Sequence, residues 1–143
     1  MKNGIVVITA AALVVAGCSS GTPPFKAAPG VLPPGTAEVT IDGRHADTNG
    51  AVQCAPVGSS TTITAGDESS GATVMVSEGK RLTVEFVRIR NLNGFTGDYN
   101  LGLEGDAAVA LTRATYLVTG TALGFNPKSI KPTTHPFTIQ VAC

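Results

Sequence analysis

The feature that most restricts the fold of this chain is a two-residue rhythm of apolar and polar side chains, broken by glycine-bearing turns. In the run AEVTI, Val39 and Ile41 alternate with Glu38 and Thr40, the period of a strand buried on one face. Asp42-Gly43 and Asn49-Gly50 then supply residues suited to positive φ in tight turns. The rhythm returns at 51–54, where Val52 and Cys54 share a face, and at 61–65 and 72–77, with a polar loop over 66–71. Gly79-Lys80 turns the chain into the longest expected strand, 82–91. That strand changes phase: Leu82, Val84 and Phe86 lie on one face, Val87 and Ile89 on the other. A β-bulge near Phe86 would restore a single buried face, and is preferred to a strand buried on both sides at its middle.

Turns are expected at Asn93-Gly94 and Gly97-Asp98, followed by a strand over 99–104. Gly105-Asp106 has the glycine-first form of a two-residue hairpin. Over 107–113 a helix competes, because Asp106 can cap an alanine-rich run. The segment 116–121 is again strand-like, 124–136 reads as a long proline-bearing loop, and PFTIQVAC closes in clean alternation. Val, Thr, Gly and Ala dominate while tryptophan is absent, a composition suited to twisted sheets with tight turns. The expected fold is all-β, an antiparallel β-sandwich-like domain.

The start of the chain has another character. Lys2 precedes an apolar run from Ile5 to Ala16, too short to span a bilayer and of the length of a signal-peptide core. It ends in Val15-Ala16-Gly17-Cys18, which resembles a bacterial lipobox. The resemblance implies cleavage between Gly17 and Cys18, with diacylglyceryl and palmitate-type acyl chains on Cys18, a combination that anchors stably where one chain does not. Residues 1–17 are therefore expected to be a signal peptide. Residues 18–36 are the lipidated cysteine and a tether carrying five prolines, and 37–143 the folded domain. With Cys18 assigned to lipid, Cys54 and Cys143 remain, and an even pair in an exported chain predicts a disulfide. A redox or metal pair would lack both a CxxC spacing and further ligands.

Removing Lys2 leaves nine basic against ten acidic side chains, so no general electrostatic attraction to nucleic acid is expected. There is no GxSxG, phosphate-binding glycine loop or HExxH. His45 and His135 sit in polar or proline-flanked stretches and are read as solvated. Asp67, Glu68, Glu104 and Asp106 border glycines and read as turn residues rather than an acid/base pair. They also lack the oxygen-rich spacing of an EF-type calcium loop. The one basic concentration is Lys80, Arg81, Arg88 and Arg90. It is either a patch for an anionic ligand, such as phosphates of envelope glycolipids, or a set of guards beside an apolar strand. No metal, and no cofactor beyond the covalent lipid, is expected.

VTIDGR, GAVQC, NLNG, YLVTGTALG and FTIQVAC, in that order behind a lipobox, resemble the mycobacterial 19 kDa lipoprotein antigen family. The resemblance implies a lipoprotein anchored at the outer face of the cell membrane. It also implies recognition by host innate immune receptors through the lipidated N-terminus, and no enzymatic activity. Tethers of this family tend to be Ser/Thr-rich and glycosylated, whereas only Ser19, Ser20, Thr22 and Thr36 stand in this proline-rich one. The expected role is a displayed structural or interaction module, with a carrier of an acyl chain or glycolipid within the sandwich as the alternative.

Overall fold

The structure, a computed structural model, describes residues 30–48 and 50–143. The signal segment, Gly17, Cys18, the tether to residue 29 and Asn49 lie outside the described residues. Ten strands form: β1 (Ala37–Ile41), β2 (Arg44–Ala46), β3 (Val52–Val57), β4 (Ser60–Gly66), β5 (Gly71–Glu78), β6 (Leu82–Leu92), β7 (Phe95–Asn100), β8 (Ala107–Thr112), β9 (Thr115–Phe125) and β10 (Thr133–Ala142). All strand pairings are antiparallel, and among the described residues there is no helix. The chain is all-β.

The strands join in the order β2-β1-β10-β9-β7-β6-β5-β4-β3, with β8 added to β9. In a flat sheet β10 and β3, six steps apart, would be separated by about 29 Å. Instead Cys54 of β3 is bonded to Cys143 just after β10, with Cα atoms 6.0 Å apart. The sheet therefore folds over on itself, and this closure makes it sandwich-like. β9 is the spine. One edge pairs with β10 from Thr115 to Gly124, and the other is divided between β8 (Thr115–Gly120) and β7 (Leu123–Phe125). The division requires a close approach of backbones. A Cβ on Gly120 would strike the Asp106 carbonyl, and one on Gly124 the Thr96 carbonyl. That contact explains two glycines within an otherwise bulky strand.

The phase change in β6 is resolved by a bulge. Met75 faces Phe86 but Val76 faces Val84, so Glu85 is the extra residue. Val84, Val87 and Ile89 are all buried, while Phe86 turns to the outer face. Elsewhere tertiary pairing overrides local signals. The alanine-rich run at 107–112 is strand β8, because the edge of β9 completes its hydrogen bonds. Gly97-Asp98 lies inside β7 rather than in a turn, and β7 ends at Asn100 instead of running to Glu104. Gly105-Asp106 makes no two-residue hairpin, since β7 and β8 pair with β9 and not with each other. The long loop shortens to 126–132, because β9 and β10 extend into it on both sides.

Inward positions fill the core with branched and aromatic side chains: Val39 and Ile41 of β1, Val74 and Val76 of β5, Phe95 and Tyr99 of β7, Phe137 and Ile139 of β10. Each such side chain stabilises the fold by about 1.5–3 kcal/mol on burial. Part of the proline-rich segment belongs to the domain. The Leu32 amide donates to Thr115 Oγ1 at 3.1 Å, the Gly35 amide to the Ala142 carbonyl at 2.9 Å, and the Ala142 amide to the Thr36 carbonyl at 2.9 Å. Thr115, the one buried polar residue among the described residues, is 1% exposed and serves this junction.

Candidate functional site

Because alternate side chains of a strand share a face, the five strands β7 to β3 align their outward residues in rows. One row runs Asp98, Arg88, Thr73, Thr64, Gln53, each the register partner of the next. The neighbouring row runs Asn100, Phe86, Met75, Thr62, Ala55. The first row enters a surface groove of about 670 Å³, rimmed by Gln53, Thr64, Thr73, Arg88 and Arg90 and, from the loop after β4, by Asp67 and Glu68. The bulge is what aims Arg88 and Arg90 here. Without the extra residue Glu85, their parity would point them into the core.

The groove carries both signs of charge. Arg90 Nη2 lies 3.1 Å from Asp98 Oδ1, and Arg88 Nε lies 3.7 Å from the same oxygen. The Arg88 guanidinium also sits 5.8 Å from the centre of the Phe86 ring, within cation–π range. Half-exposed pairs of this kind contribute about 0–1 kcal/mol to stability, so their effect is to fix the two guanidinium heads rather than to hold the fold. Across the groove Asp67 Oδ1 accepts from the Ser69 hydroxyl (2.6 Å) and from the amides of Ser69 (2.8 Å) and Ser70 (2.9 Å). The Ser69 hydroxyl first, and then these amides, hold the Asp67 carboxyl below the ordinary carboxylate value. The arrangement is a polar cleft of hydroxyl, amide and paired charges, suited to a hydroxylated or zwitterionic partner more than to a bare anion.

Lys80 and Arg81 do not join Arg88 and Arg90. They occupy the turn between β5 and β6, at the opposite end of β6. Glu104 and Asp106 lie in the β7–β8 connection, away from Asp67 and Glu68, with Asp106 Oδ1 accepting from the Thr121 hydroxyl at 3.0 Å. Among the described residues no three His, Cys, Asp or Glu side chains gather as a metal-ligand group. Thr36 donates its hydroxyl to the Pro33 carbonyl at 2.6 Å, whereas Ser19, Ser20 and Thr22 lie outside the described residues.

His45 is exposed, 3.2 Å from Asp47. His135 departs from the solvated position expected of it. It lies within β10, its side chain is only 13% exposed, and its ring centre is 4.5 Å from that of Phe95. Its Nδ1 is 2.7 Å from Asp42 Oδ2, and its Nε2 is 2.8 Å from Thr133 Oγ1. A carboxylate, an imidazole and a hydroxyl thus stand in the order of an acyl-transfer triad. The adjoining cavity of about 300 Å³ is rimmed by Ile41, Asp42, Arg44, Asn93, Phe95, Asn126, Pro127 and Lys128, and neither Thr133 nor His135 opens into it. A substrate there would not meet the hydroxyl, so the contact is a clasp between the β1–β2 turn and β10. No local signal marked it, because the partners are 93 residues apart.

Comparison with known proteins gives a consistent family. The profile of the Mycobacterium 19 kDa lipoprotein antigen matches residues 30–143. Lipoprotein LpqH of Mycobacterium tuberculosis H37Rv and that of Mycobacterium bovis BCG are each 34% identical over 162 aligned positions, covering 100% of this chain and 99% of the relative. Lipoprotein LpqH of Mycobacterium avium is 32% identical over 148 positions, 92% of this chain and 89% of the relative.

Proposed function

The chain belongs to the Mycobacterium 19 kDa lipoprotein antigen family, and on that footing we propose that it is held on the outer face of the cell membrane by acyl chains on Cys18 and displays its β domain as an interaction module. The observation that carries this is the path of the chain. The lipobox cysteine stands twelve residues before Gly30, and from Leu32 onward the backbone is fastened to one end of the domain. The opposite end and the polar groove beside Arg88 and Arg90 are left facing away from the attachment.

The interior supports display over transport. Val39, Val76, Val87, Ile89 and Ala122 have no measurable exposure, and the surface cavities described above carry charged side chains on their rims, Asp67, Glu68, Arg88 and Arg90 on one and Asp42, Arg44 and Lys128 on the other. A lipid carrier needs an apolar pocket of several hundred cubic ångströms, of the order of 300–1,000 Å³. The role at the host is that of an acylated agonist of innate immune receptors, with the domain as the accompanying antigen. Intact-mass analysis of protein from a mycobacterial host tests the reading. The mature chain should begin at Cys18 with added acyl mass, and Cys18→Ser should lose that mass, leave the detergent phase and lose receptor signalling. An unmodified Cys18 thiol in the native protein would overturn it.

A further inference from the structure

Antiparallel alternation sorts the turns between two ends. The connections at 58–59, 79–81 and 113–114 fall at the end where β10 finishes and where residues 30–36 join the domain. Backbone bonds tie them together locally: the Glu78 amide donates to the Ser59 carbonyl at 2.6 Å, and the Cys143 amide to the Ala114 carbonyl at 2.9 Å. The Cys54–Cys143 bond brings β3 alongside the end of β10, so both groups of turns lie at the same end of the domain.

That surface is apolar and cationic. Val57 is 75% and Leu111 43% exposed, near the tips of β3 and β8. Lys80, Arg81 and Arg113 are exposed beside them, and among the described residues no ion pair engages any of the three. These turns carry one carboxylate, Glu78. The opposite end sets Arg44, Lys128 and Lys131 against Asp42, Asp47, Asp67 and Glu68, so its charges nearly balance, whereas here three cations face one carboxylate.

We propose that the end bearing Val57, Lys80, Arg81, Leu111 and Arg113 docks directly on an anionic lipid surface, its apolar side chains entering the headgroup layer and its cations meeting lipid phosphates. The proposal rests on the reading that Cys18 is acylated. Residues 19–29 reach at most about 40 Å even when fully extended. They attach at this end through Leu32 and Gly35, so the membrane and this surface share one neighbourhood. Apolar insertion and attraction of basic side chains to anionic lipid are the two terms that bind peripheral surfaces, and here they coincide with the tether. The domain thus stands end-on on the bilayer, not free at the end of a spacer.

The chain contains no tryptophan, so an introduced one is a single reporter of depth. Val57→Trp and Leu111→Trp probe the docking end, and Phe125→Trp and Ile130→Trp, at exposed positions, probe the other. Each full-length acylated variant is placed on vesicles of phosphatidylglycerol and phosphatidylcholine brominated in its acyl chains. Emission from Val57→Trp and Leu111→Trp should be quenched and blue-shifted, and that from Phe125→Trp and Ile130→Trp unchanged. Each cation reversed among Lys80→Glu, Arg81→Glu and Arg113→Glu should lower the ratio of docked to undocked protein at least about fivefold, while flotation with vesicles persists. Flotation with all four reporters equally unquenched would overturn the proposal and leave acylation standing. Failure to float, with an unmodified Cys18 by mass, would remove both.

Discussion

The two ends of the domain are held together in different ways. Where residues 30–36 join, the fastenings are backbone hydrogen bonds, the bond from the Leu32 amide to the Thr115 hydroxyl and one covalent bond, and the turns between strands are two or three residues long. At the far end two-residue turns at 42–43 and 93–94 stand beside longer connections at 47–51, 67–70 and 126–132, and side chains cross-link turns to neighbouring elements. His135 clasps Asp42, the Asn93 amide donates to the Arg44 and His45 carbonyls at 3.3 and 2.9 Å, and the Pro127 ring closes over Gly94. Even the two-residue turns there are held from outside, the β1–β2 turn by His135 of β10 and the β6–β7 turn by Pro127. Lys80, Arg81 and Arg113 at the attachment end face outward without ion pairs among the described residues, while Asp42, Asn93 and His135 at the far end serve the fold.

If this contrast is right, the covalent bond is the largest single contributor at the attachment end. Replacing both cysteines, Cys54→Ala with Cys143→Ala, should cost about 2–5 kcal/mol in denaturant unfolding, because the bond closes a long loop. A loss near zero would mean that the sheet stays folded over without it. At the far end His135→Ala removes bonds to Asp42 and Thr133 and should cost about 1–3 kcal/mol. The same measurement on His45→Ala, whose imidazole is exposed, should register almost nothing. Thr115→Val leaves the Leu32 amide without its acceptor and should cost about 1 kcal/mol. It should also speed proteolysis of the segment before Thr36 while leaving the far end protected.

The smallest effect concerns the 67–70 loop. The Asp67 carboxyl titrates below its ordinary value in the folded chain. Its contribution to loop order is therefore fully present above the unfolded carboxylate pKa of about 3.9 and is lost as pH falls through the lower folded value. Amide hydrogen exchange at Ser69 and Ser70 should rise with that acidification, beyond the intrinsic pH dependence. Asp67→Asn should abolish the extra rise and leave exchange in β9 and β10 unchanged.

How much of this was legible in the sequence depended on the range of the interaction. Strands such as β1, β5 and β10 declare themselves by alternation, since a half-buried strand needs nothing more than its own period. The bulge was legible as a broken phase at Phe86, although only pairing with β5 shows that Glu85 is the extra residue. Strand β8 was ambiguous because its alanines favour a helix, and the open edge of β9 overrides that preference. Gly97 and Gly124 look like turn signals but mark close backbone contact between β7 and β9. The groove was half legible: Arg88 and Arg90 stand out, but their partner Asp98 and the hydroxyl row need the register. The His135 clasp was out of reach, since neither Asp42 nor His135 carries a local mark of the other.

The direction in which β1 runs has a mechanical consequence. With Cys18 acylated as proposed, tension between the membrane and anything bound at the far end would run along the strands rather than across them. The load enters through Leu32 and Gly35, passes into β1, and from its five residues into β10 and the spine strand β9. Hydrogen bonds between β1 and β10 are then sheared together instead of being peeled one at a time. The disulfide at Cys143 gives the same force a covalent bypass into β3. A domain built this way resists tension best along the line that joins residues 30–36 to its far end.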